Sequence, residues 1–217
     1  MKDEAKRIVI FSGGTLGPWA LREVKPGDVL VGADRGALFL VRQQLVPDVA
    51  IGDFDSVSED EKAEIRRVSR QFREFDPVDK DWTDTETAFD WALKQEPAEI
   101  VLMGALGTRF DHSLANIHLL RKGLDRGIPC KIIDAYNEIM LVDKHLLLTK
   151  GNYSHVSLLP LTLKVTGITL KGFRYPLHNA TLDLGESRGI SNLLAGESGE
   201  IYVKEGILLV ILSREES

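Results

Sequence analysis

The sequence is poor in cysteine, which limits the ways in which the fold can be cross-linked. Cys130 is the single cysteine among 217 residues, so no disulfide can form within the chain. It lies in the apolar run IPCKIID, where a thiol is expected to be buried in a strand of the core. The composition, 43% hydrophobic and 28% charged, is ordinary for a globular protein of one large domain or two modest ones.

The sequence also lacks long basic runs and long apolar runs. A formal net charge of -6 without a basic run disfavours a nucleic-acid groove. The first apolar run, RIVIF, is too short for a signal peptide, and no stretch is long enough to span a membrane. We therefore expect a cytoplasmic protein. A phosphorylated ligand is not excluded, because a bound metal can carry the positive charge.

The first 135 residues alternate between short apolar runs and amphipathic segments. Five runs rich in Val and Ile predict strands, namely RIVIFS, DVLVGAD, DVAIGDFD, AEIVLMGALG and CKIIDA. Near-continuous apolar runs of this kind are typical of a parallel sheet that is covered on both faces. Because strands alternate with helices, we expect an α/β domain over residues 1–135 with an open, mostly parallel, Rossmann-like sheet.

Three helices are predicted between these strands. Ser58 and Glu61, and likewise Thr83 and Glu86, have the spacing of a capping box at a helix start. The third segment, FDHSLANIHLLRKGLDRG, is expected to end at Gly127. Its apolar side chains are expected near one face of the helix, and they are Leu114, Ile117, Leu120 and Leu124.

Residues 136–217 have a different character. Short apolar stretches are broken by Gly, Asn and Pro, and no helix is indicated. The pattern predicts a smaller all-β domain over residues 136–217. Its last segment, GEIYVKEGILLVILS, is expected to form a closing hairpin that turns at residues 204–206.

The residues that follow the predicted strands are rich in Gly, Asp and basic side chains. The strand ends read SGGTLG, ADRGA, GDFDS and GALGTRFDH, and a further extended segment leads into PVDKDWTDTE. Ligands of open α/β sheets bind at the carboxyl ends of the strands. We therefore expect a site along this edge of the sheet.

The glycines and acids at these ends have structural as well as functional explanations. Gly13 and Gly14 match neither the Walker A pattern nor GxGxxG, so a tight turn explains them as well as phosphate binding does. Asp53 and Asp55 share one face if the strand continues, although one of them could simply cap the next loop. Asp84 lies in a first helical turn, where a carboxylate is favoured anyway. Together the three acids offer the hard oxygens that Mg²⁺ prefers.

Basic residues accompany these acids. The planar guanidinium group of Arg109 can donate two hydrogen bonds to phosphate oxygens, and Lys80 and Arg35 add positive charge. Asp111 can serve as a helix N-cap, and His112 as an ordinary helix-start residue. Acids for a metal together with cations for phosphates predict phosphoryl transfer from a nucleotide.

Five spaced motifs carry a family resemblance over nearly the whole chain. ADRGA, PDVAIGDFDSVS, KDWTDTETAFDWAL, GALGTRFDHSLANIHLL and GISN at 189–192 resemble, in order and spacing, the thiamin pyrophosphokinases. The resemblance implies an α/β catalytic domain that binds ATP and Mg²⁺, followed by a β-sandwich domain that binds thiamin. It implies transfer of a pyrophosphoryl group from ATP to the thiamin hydroxyl, giving thiamin diphosphate and AMP. It also implies a homodimer with active sites at the subunit interface.

The resemblance and the chemistry of the strand ends together suggest roles for individual residues. The acids that resemble Mg²⁺ ligands are Asp53, Asp55 and Asp84, and with Lys80 and Arg109 they make up the expected catalytic set. The expected ATP-binding residues are Gly13, Gly14, Asp34, Arg35, Lys80, Asp81, Arg109, Asp111 and His112.

The thiamin side of the expected site rests on the GISN motif. Ser191 and Asn192 match the residues that face thiamin in the family, across the subunit interface. Two features depart from the family pattern. Arg35 stands where family members commonly have Gly, and no aromatic residue directly follows GISN to stack on thiamin.

Three other functions remain open from the residues alone. A pyrophosphokinase for a hydroxymethylpterin would share the nucleotide and metal residues, although GISN favours thiamin. A Mg²⁺-dependent phosphohydrolase would also use paired acids, but Asp84 and the basic residues fit nucleotide handling better. A nucleotide-sensing module without turnover would not require every one of these acids.

Overall fold

The chain, described here by a computed structural model over residues 5–75 and 82–215, divides into two compact units, residues 1–135 and 136–217. The described elements of the first unit are β1 (Arg7–Phe11), α1 (Pro18–Arg22), β2 (Val29–Ala33), α2 (Arg35–Arg42), β3 (Val49–Gly52), α3 (Glu59–Val68), β4 (Phe72–Glu74), α4 (Asp84–Leu93), β5 (Glu99–Met103), α5 (Phe110–Leu124) and β6 (Cys130–Ile133). Within the described part of the chain, no helix is both long and apolar enough to cross a membrane.

The strands of the first unit form a parallel sheet with the order β4-β3-β2-β1-β5-β6. Val9 and Phe11 of β1 pack against Ala20 of α1 and Leu40 of α2 on one face. Ile10, which points to the opposite face, is buried as well. Helices therefore cover both faces, which explains the near-continuous apolar runs and confirms the prediction of a mostly parallel α/β sheet.

The two predicted capping boxes have different outcomes. At the start of α3, Glu61 N donates to Ser58 Oγ at 3.3 Å and Ser58 N donates to Glu61 Oε2 at 2.9 Å, so this box is confirmed. At the start of α4, Glu86 N donates to Thr83 Oγ1 at 3.2 Å. The Glu86 carboxylate, however, accepts from Lys122 Nζ at 2.7 Å. The second box is therefore only half formed, because an ion pair with α5 competes for the acid.

Helix α5 ends before the predicted glycine, and it buries polar as well as apolar side chains. It ends at Leu124, and Gly127, at φ +67°, donates its N–H to the Leu124 carbonyl at 3.0 Å beyond the helix. Leu114 is 41% exposed, whereas Leu120, which was predicted near the same face, is buried. The residues that α5 buries are Ser113, Asn116, Leu119, Leu120 and Gly123. The buried face of α5 therefore contains two polar side chains, Ser113 and Asn116, beside its leucines.

The second unit is all-β over its described residues. Its strands are β7 (Asn137–Val142), β8 (His145–Thr149), β9 (His155–Pro160), β10 (Lys164–Lys171), β11 (Ala180–Asp183), β12 (Ser198–Tyr202) and β13 (Leu208–Ser213). Antiparallel pairing joins β7, β13 and β9 in one layer and gives the order β11-β10-β12-β8 in the other. Side chains of both layers, among them Leu158, Val210, Ile168 and Ile201, share one hydrophobic cluster. The prediction of a separate antiparallel unit is confirmed.

The predicted closing hairpin is wrong. β12 pairs with β10 and β8, whereas β13 pairs with β7 and β9, so the two segments lie in different layers. The residues between them bond to other parts of the unit. Lys204 N donates to the Thr166 carbonyl at 3.0 Å, and Leu161 N donates to the Ile207 carbonyl at 2.8 Å. The turn at 204–206 therefore crosses between layers instead of joining neighbouring strands.

Candidate active site

The sheet of the first unit has a topological switch point between β1 and β5. β2, β3 and β4 lie on one side of β1, whereas β5 and β6 lie on the other. Connections that leave adjacent strands in opposite directions open a crevice at the carboxyl ends, where α/β proteins bind ligands. A cleft of about 400 Å³ lies at this point. Its lining comprises Ser12, Gly13, Gly14, Ala33, Asp34, Arg35, Thr83, Asp84, Thr85, Gly104, Ala105, Leu106, Gly107, Thr108, Arg109, His112, Ser113 and Asn116.

The glycine loop, residues 12–14, follows β1 and borders the cleft. Gly14 N donates to the Gly104 carbonyl at 2.8 Å, which ties this loop to the one after β5. A Cβ on Gly14 would lie 2.4 Å from that carbonyl oxygen, so only glycine permits the approach. A Cβ on Gly13 would meet its nearest neighbour, Arg35 Cβ, at 3.6 Å. Gly14 is thus explained by backbone packing, whereas Gly13 leaves room beside the cleft.

Three carboxylates converge at the ends of β2 and β3. Asp34, Asp53 and Asp55 each offer one oxygen, and these oxygens lie within 4.8 Å of one another. The end of β2 is held to β3 because Asp34 N donates to the Ile51 carbonyl at 2.9 Å. The sequence grouped Asp34 with the ATP-binding residues. The geometry instead puts it with the paired acids of the GDFDS motif.

The Asp34 carboxylate of this acidic cluster is only partly satisfied by hydrogen bonds within the described residues. Ser56 Oγ donates to its Oδ2, while Oδ1 is buried without a hydrogen-bond partner among the described residues. Burial raises the pKa of the Asp34 carboxyl, and the charges of Asp84 and Asp53 raise it further. A buried, unpaired carboxylate oxygen beside like charges is favourable when a cation neutralises them.

Asp84 connects the acidic cluster with the cleft. It is the first residue of α4, and its Oδ1 accepts from Asp53 N at 3.3 Å. The next residue, Thr85, donates its hydroxyl to Ser12 Oγ of the glycine loop at 3.1 Å. Asp84 therefore lies beside the acidic cluster and also lines the cleft.

Arg109 and Asp111 form an exposed ion pair at the start of α5. Arg109 Nε donates to Asp111 Oδ1 at 3.2 Å, and a second bond joins Nη2 to Oδ2. The Arg109 hydrogen bonds lower the pKa of Asp111 to about 2. Asp111 lies inside the helix and Arg109 is its N-cap, so the predicted N-cap role of Asp111 is wrong. Arg109 and His112 line the cleft.

Arg35 differs from Arg109 in that no acid among the described residues forms an ion pair with it. It is exposed at the start of α2 and forms no ion pair within the described ranges. Its guanidinium is therefore available to bind the oxygens of a phosphate group. Lys80 and Asp81, which the sequence assigns to the catalytic and ATP-binding sets, lie outside the described residues.

Ser191 and Asn192 lie in the second unit, where they hold a loop together. The Asn192 side chain is buried; its Nδ2 donates to the Tyr175 carbonyl at 2.7 Å and its Oδ1 accepts from Leu193 N at 2.8 Å. Ser191 is exposed at φ +60°, and its N–H donates to Ser157 Oγ at 3.1 Å. Asn192 thus shapes the loop, and Ser191 has the accessible side chain. Contact of either residue with thiamin stays a prediction.

Sequence reasoning did not single out five polar residues that line the cleft: Ser12, Thr85, Thr108, Ser113 and Asn116. Ser113 Oγ accepts from Gly107 N at 3.1 Å, and Asn116 Nδ2 donates to the Ala105 carbonyl at 2.7 Å. These bonds fix the loop between β5 and α5. Ser113 and Asn116 are three residues apart on a helix that begins near the end of β5, and this spacing was the sequence signal that could have placed both of them on the cleft side of the helix.

A switch-point cleft bordered by carboxylates and arginines defines the class of the chain: an α/β protein with a candidate site for a metal ion and a phosphorylated ligand. Comparison with known families narrows this class. Residues 21–132 match the family described as thiamin pyrophosphokinase, catalytic domain, and residues 144–208 match thiamin pyrophosphokinase, vitamin B1 binding domain. The chain belongs to the thiamin pyrophosphokinase family.

Individual relatives agree with this assignment. The chain is 35% identical to the thiamine pyrophosphokinase of Bacillus subtilis (strain 168) over 187 residues, which cover 85% of this chain and 87% of the relative. The crystal structure of thiamine pyrophosphokinase from Bacillus subtilis aligns with a TM-score of 0.90 at 33% identity, covering 97% of this chain and 100% of that chain. The enzyme from Geobacillus thermodenitrificans aligns with a TM-score of 0.88 at 34% identity, covering 97% and 99%.

Proposed function

We propose that the protein transfers a pyrophosphoryl group from ATP to the hydroxyl group of thiamin and so produces thiamin diphosphate and AMP. Family matches in both units support this reaction. The observation that carries the proposal is the convergence of Asp34, Asp53 and Asp55 beside a cleft at the switch point. A nucleotide at such a position is usual in Rossmann-like sheets, and we assign the first unit to that group.

Mg²⁺ is part of the proposal, and the acidic cluster fits it. Three carboxylates within 4.8 Å supply hard oxygen ligands, and the buried Oδ1 of Asp34 lacks any other partner among the described residues. Asp34, Asp53 and Asp55 would hold the ion, with Asp84 beside them through its bond to Asp53 N. When bound, Mg²⁺ supplies the positive charge that neutralises the phosphate oxygens.

The residues of the cleft account for the rest of the chemistry. The thiamin hydroxyl oxygen attacks the β-phosphorus of ATP in line, the bond from that phosphorus to the α–β bridging oxygen breaks, and AMP leaves. The hydroxyl proton passes to water. Arg35 and Arg109 bring fixed positive charge to the phosphates, and Asp111 orients Arg109. The site therefore works by positioning and charge, which is what phosphoryl transfer chiefly requires.

Thiamin binding by the second unit and assembly as a homodimer complete the proposal. The exposed Ser191, on a loop shaped by Asn192, is the proposed thiamin contact, and it would act in the active site of the other subunit. Mixing Asp55→Asn subunits with Ser191→Trp subunits tests this arrangement. Restored activity is expected, since some mixed dimers would contain one intact site. The shared-site arrangement would be contradicted if the mixed variants stay inactive and the protein elutes as a monomer. Cytoplasmic location belongs to the same proposal.

The experiment that tests the function measures AMP release from ATP and Mg²⁺ with thiamin, a hydroxymethylpterin or no acceptor. We expect AMP only with thiamin. AMP formed with the pterin would keep the reaction and change the substrate. ATP binding without AMP from any acceptor would make the protein a nucleotide-sensing module, and phosphate release without an acceptor would make it a phosphohydrolase.

A further inference from the structure

A cavity lies at the edge of the parallel sheet where the strands begin, opposite the edge that carries the cleft. This amino-edge pocket has a volume of about 780 Å³, which is within the usual range for small-molecule sites. Ile8, Val29 and Val49, at the starts of β1, β2 and β3, form its apolar floor. Its described lining shares no residue with that of the cleft. The amino-edge pocket is therefore separate from the site of the proposed reaction.

Helix α4 extends from the cleft to the amino-edge pocket. Asp84, its first residue, lines the cleft, and Trp91, in its last turn, lines the pocket. Seven residues of helix separate the two positions by about 10 Å along the axis. The helix packs on β1, β2 and β3, whose starts form the floor of the pocket. A ligand of the pocket would therefore contact the end of α4 that is remote from the proposed chemistry.

The wall of the amino-edge pocket is aromatic. Trp91 is half-buried, and the guanidinium carbon of Arg73, a residue outside the described lining, lies 5.7 Å from the centroid of its ring. Gln95 Nε2 donates to the Trp91 carbonyl at 3.1 Å, which holds the chain at the end of α4. An indole beside an apolar floor suits a flat ring, and its face attracts a cationic ring most strongly.

The amino-edge pocket offers one charge of each sign for a ligand. Ala98 N donates to the Lys6 carbonyl at 3.1 Å, which ties the loop after α4 to the start of β1. Lys6 and Glu96, both exposed and both in the lining, form no ion pair within the described ranges. Arg70, by contrast, donates to Asp48 Oδ1 at 3.0 Å. An unpaired ammonium and an unpaired carboxylate beside an indole complement a ligand that carries both charges.

We infer that the amino-edge pocket is a second binding site, which takes a flat aromatic cation with an anionic tail. The ring lies against Trp91 with its positive charge towards Glu96, and the tail binds the Lys6 ammonium. Thiamin diphosphate, with a thiazolium ring and a diphosphate, has this chemistry and is the occupant to which we commit. The choice of occupant rests on the proposed function, because that reaction produces it. The pocket itself and the class of its ligand do not.

Isothermal titration calorimetry of the full chain with thiamin diphosphate in EDTA tests the inference. EDTA removes the Mg²⁺ through which the cleft would hold a diphosphate, and Ser191→Trp blocks the proposed thiamin contact. We expect one thiamin diphosphate to bind per chain in both wild type and Ser191→Trp. Lys6→Gln should raise the Kd about tenfold, since it removes a charged hydrogen-bond donor. Trp91→Leu should raise it by a similar factor.

Controls separate the outcomes. Lys94→Gln removes an exposed lysine after α4 that is not in the described lining, and it should bind as wild type does. Thiamin, which lacks the tail, and inorganic diphosphate, which lacks the ring, should each bind at least about tenfold more weakly. If Trp91→Leu unfolds the chain, the exposed Lys6 decides alone.

Three results would overturn the inference: no binding in EDTA, binding that Lys6→Gln leaves unchanged, or binding that Ser191→Trp abolishes. Diphosphate that binds as tightly as thiamin diphosphate would also overturn it, because the ring would then contribute nothing. None of these results bears on AMP release from ATP and thiamin. Failure of that release, with thiamin diphosphate bound as expected, would contradict the proposed function and leave the amino-edge pocket in place.

Discussion

At the scale of single residues, Asp34 shows most clearly what the sequence could predict and what it could not. The motif ADRGA indicates only that an acid follows a strand. Its spacing does not indicate whether that acid faces a phosphate group or a metal ion. The structure brings it to Asp53 and Asp55 because β2 and β3 are adjacent parallel strands whose carboxyl ends coincide. The D-x-D pair was readable from sequence, whereas the third acid depended on strand order. Strand order is a long-range property that a local pattern does not contain.

Replacing one acid of the cluster tests the metal role directly. Asp55→Asn should reduce AMP formation by about 100-fold or more, since it removes a charged ligand without changing the size of the side chain. Asp60→Asn, at an exposed position in the first turn of α3, is the matched control and should keep wild-type activity. Activity of Asp55→Asn near the wild-type level would remove Asp55 from the site.

Cys130 should be chemically inert in the folded protein. Burial raises the pKa of its thiol to about 12, so the reactive thiolate is scarce at neutral pH. Iodoacetamide at pH 8 should leave the native chain unmodified by mass spectrometry and alkylate it fully in denaturant. Reactivity should rise only as the pH approaches the raised pKa. Rapid alkylation of native protein at pH 8 would contradict the raised pKa of this half-buried thiol.

At the scale of elements, the glycine loop offers a matched pair of substitutions. Gly14→Ala should destabilise the fold by about 1–3 kcal/mol, because its Cβ would meet the Gly104 carbonyl oxygen at 2.4 Å. Gly13→Ala should change the free energy of unfolding by less than about 0.5 kcal/mol, since its nearest neighbour is at 3.6 Å. Urea denaturation of both variants measures the difference. Equal stability of the two would mean that the loops after β1 and β5 are not packed as described.

The elements also show which structural features a sequence pattern can predict. Five strands of the first unit (β1, β2, β3, β5 and β6) and the start of α3 followed from apolar runs and a capping box, both of which are local signals. The capping box predicted at the start of α4 is only half formed because Lys122, 36 positions away in sequence, binds the Glu86 carboxylate. The prediction of a closing hairpin was wrong because β12 and β13 pair with strands of different layers. In each failure a contact distant in sequence overrode a local preference.

At the scale of the whole molecule, metal binding should be visible as stabilisation. A Mg²⁺ concentration near ten times its Kd should raise the Tm by about 3–6 °C for a chain of this size, because the ion binds only the assembled acidic cluster. EDTA should reverse the shift. In Asp55→Asn the shift should shrink or vanish, while Asp60→Asn should retain it. An equal shift in wild type and Asp55→Asn would indicate that Mg²⁺ binds elsewhere.

The type of group transferred is the central claim for the whole molecule, and ATP labelled at the β-phosphorus tests it most directly. With thiamin and Mg²⁺, the account predicts that all transferred label appears in thiamin diphosphate and that one AMP forms for each product molecule. This result follows if the acids and arginines of the cleft direct attack to the β-phosphorus. Formation of ADP and thiamin monophosphate, with the label left in ADP, would contradict it.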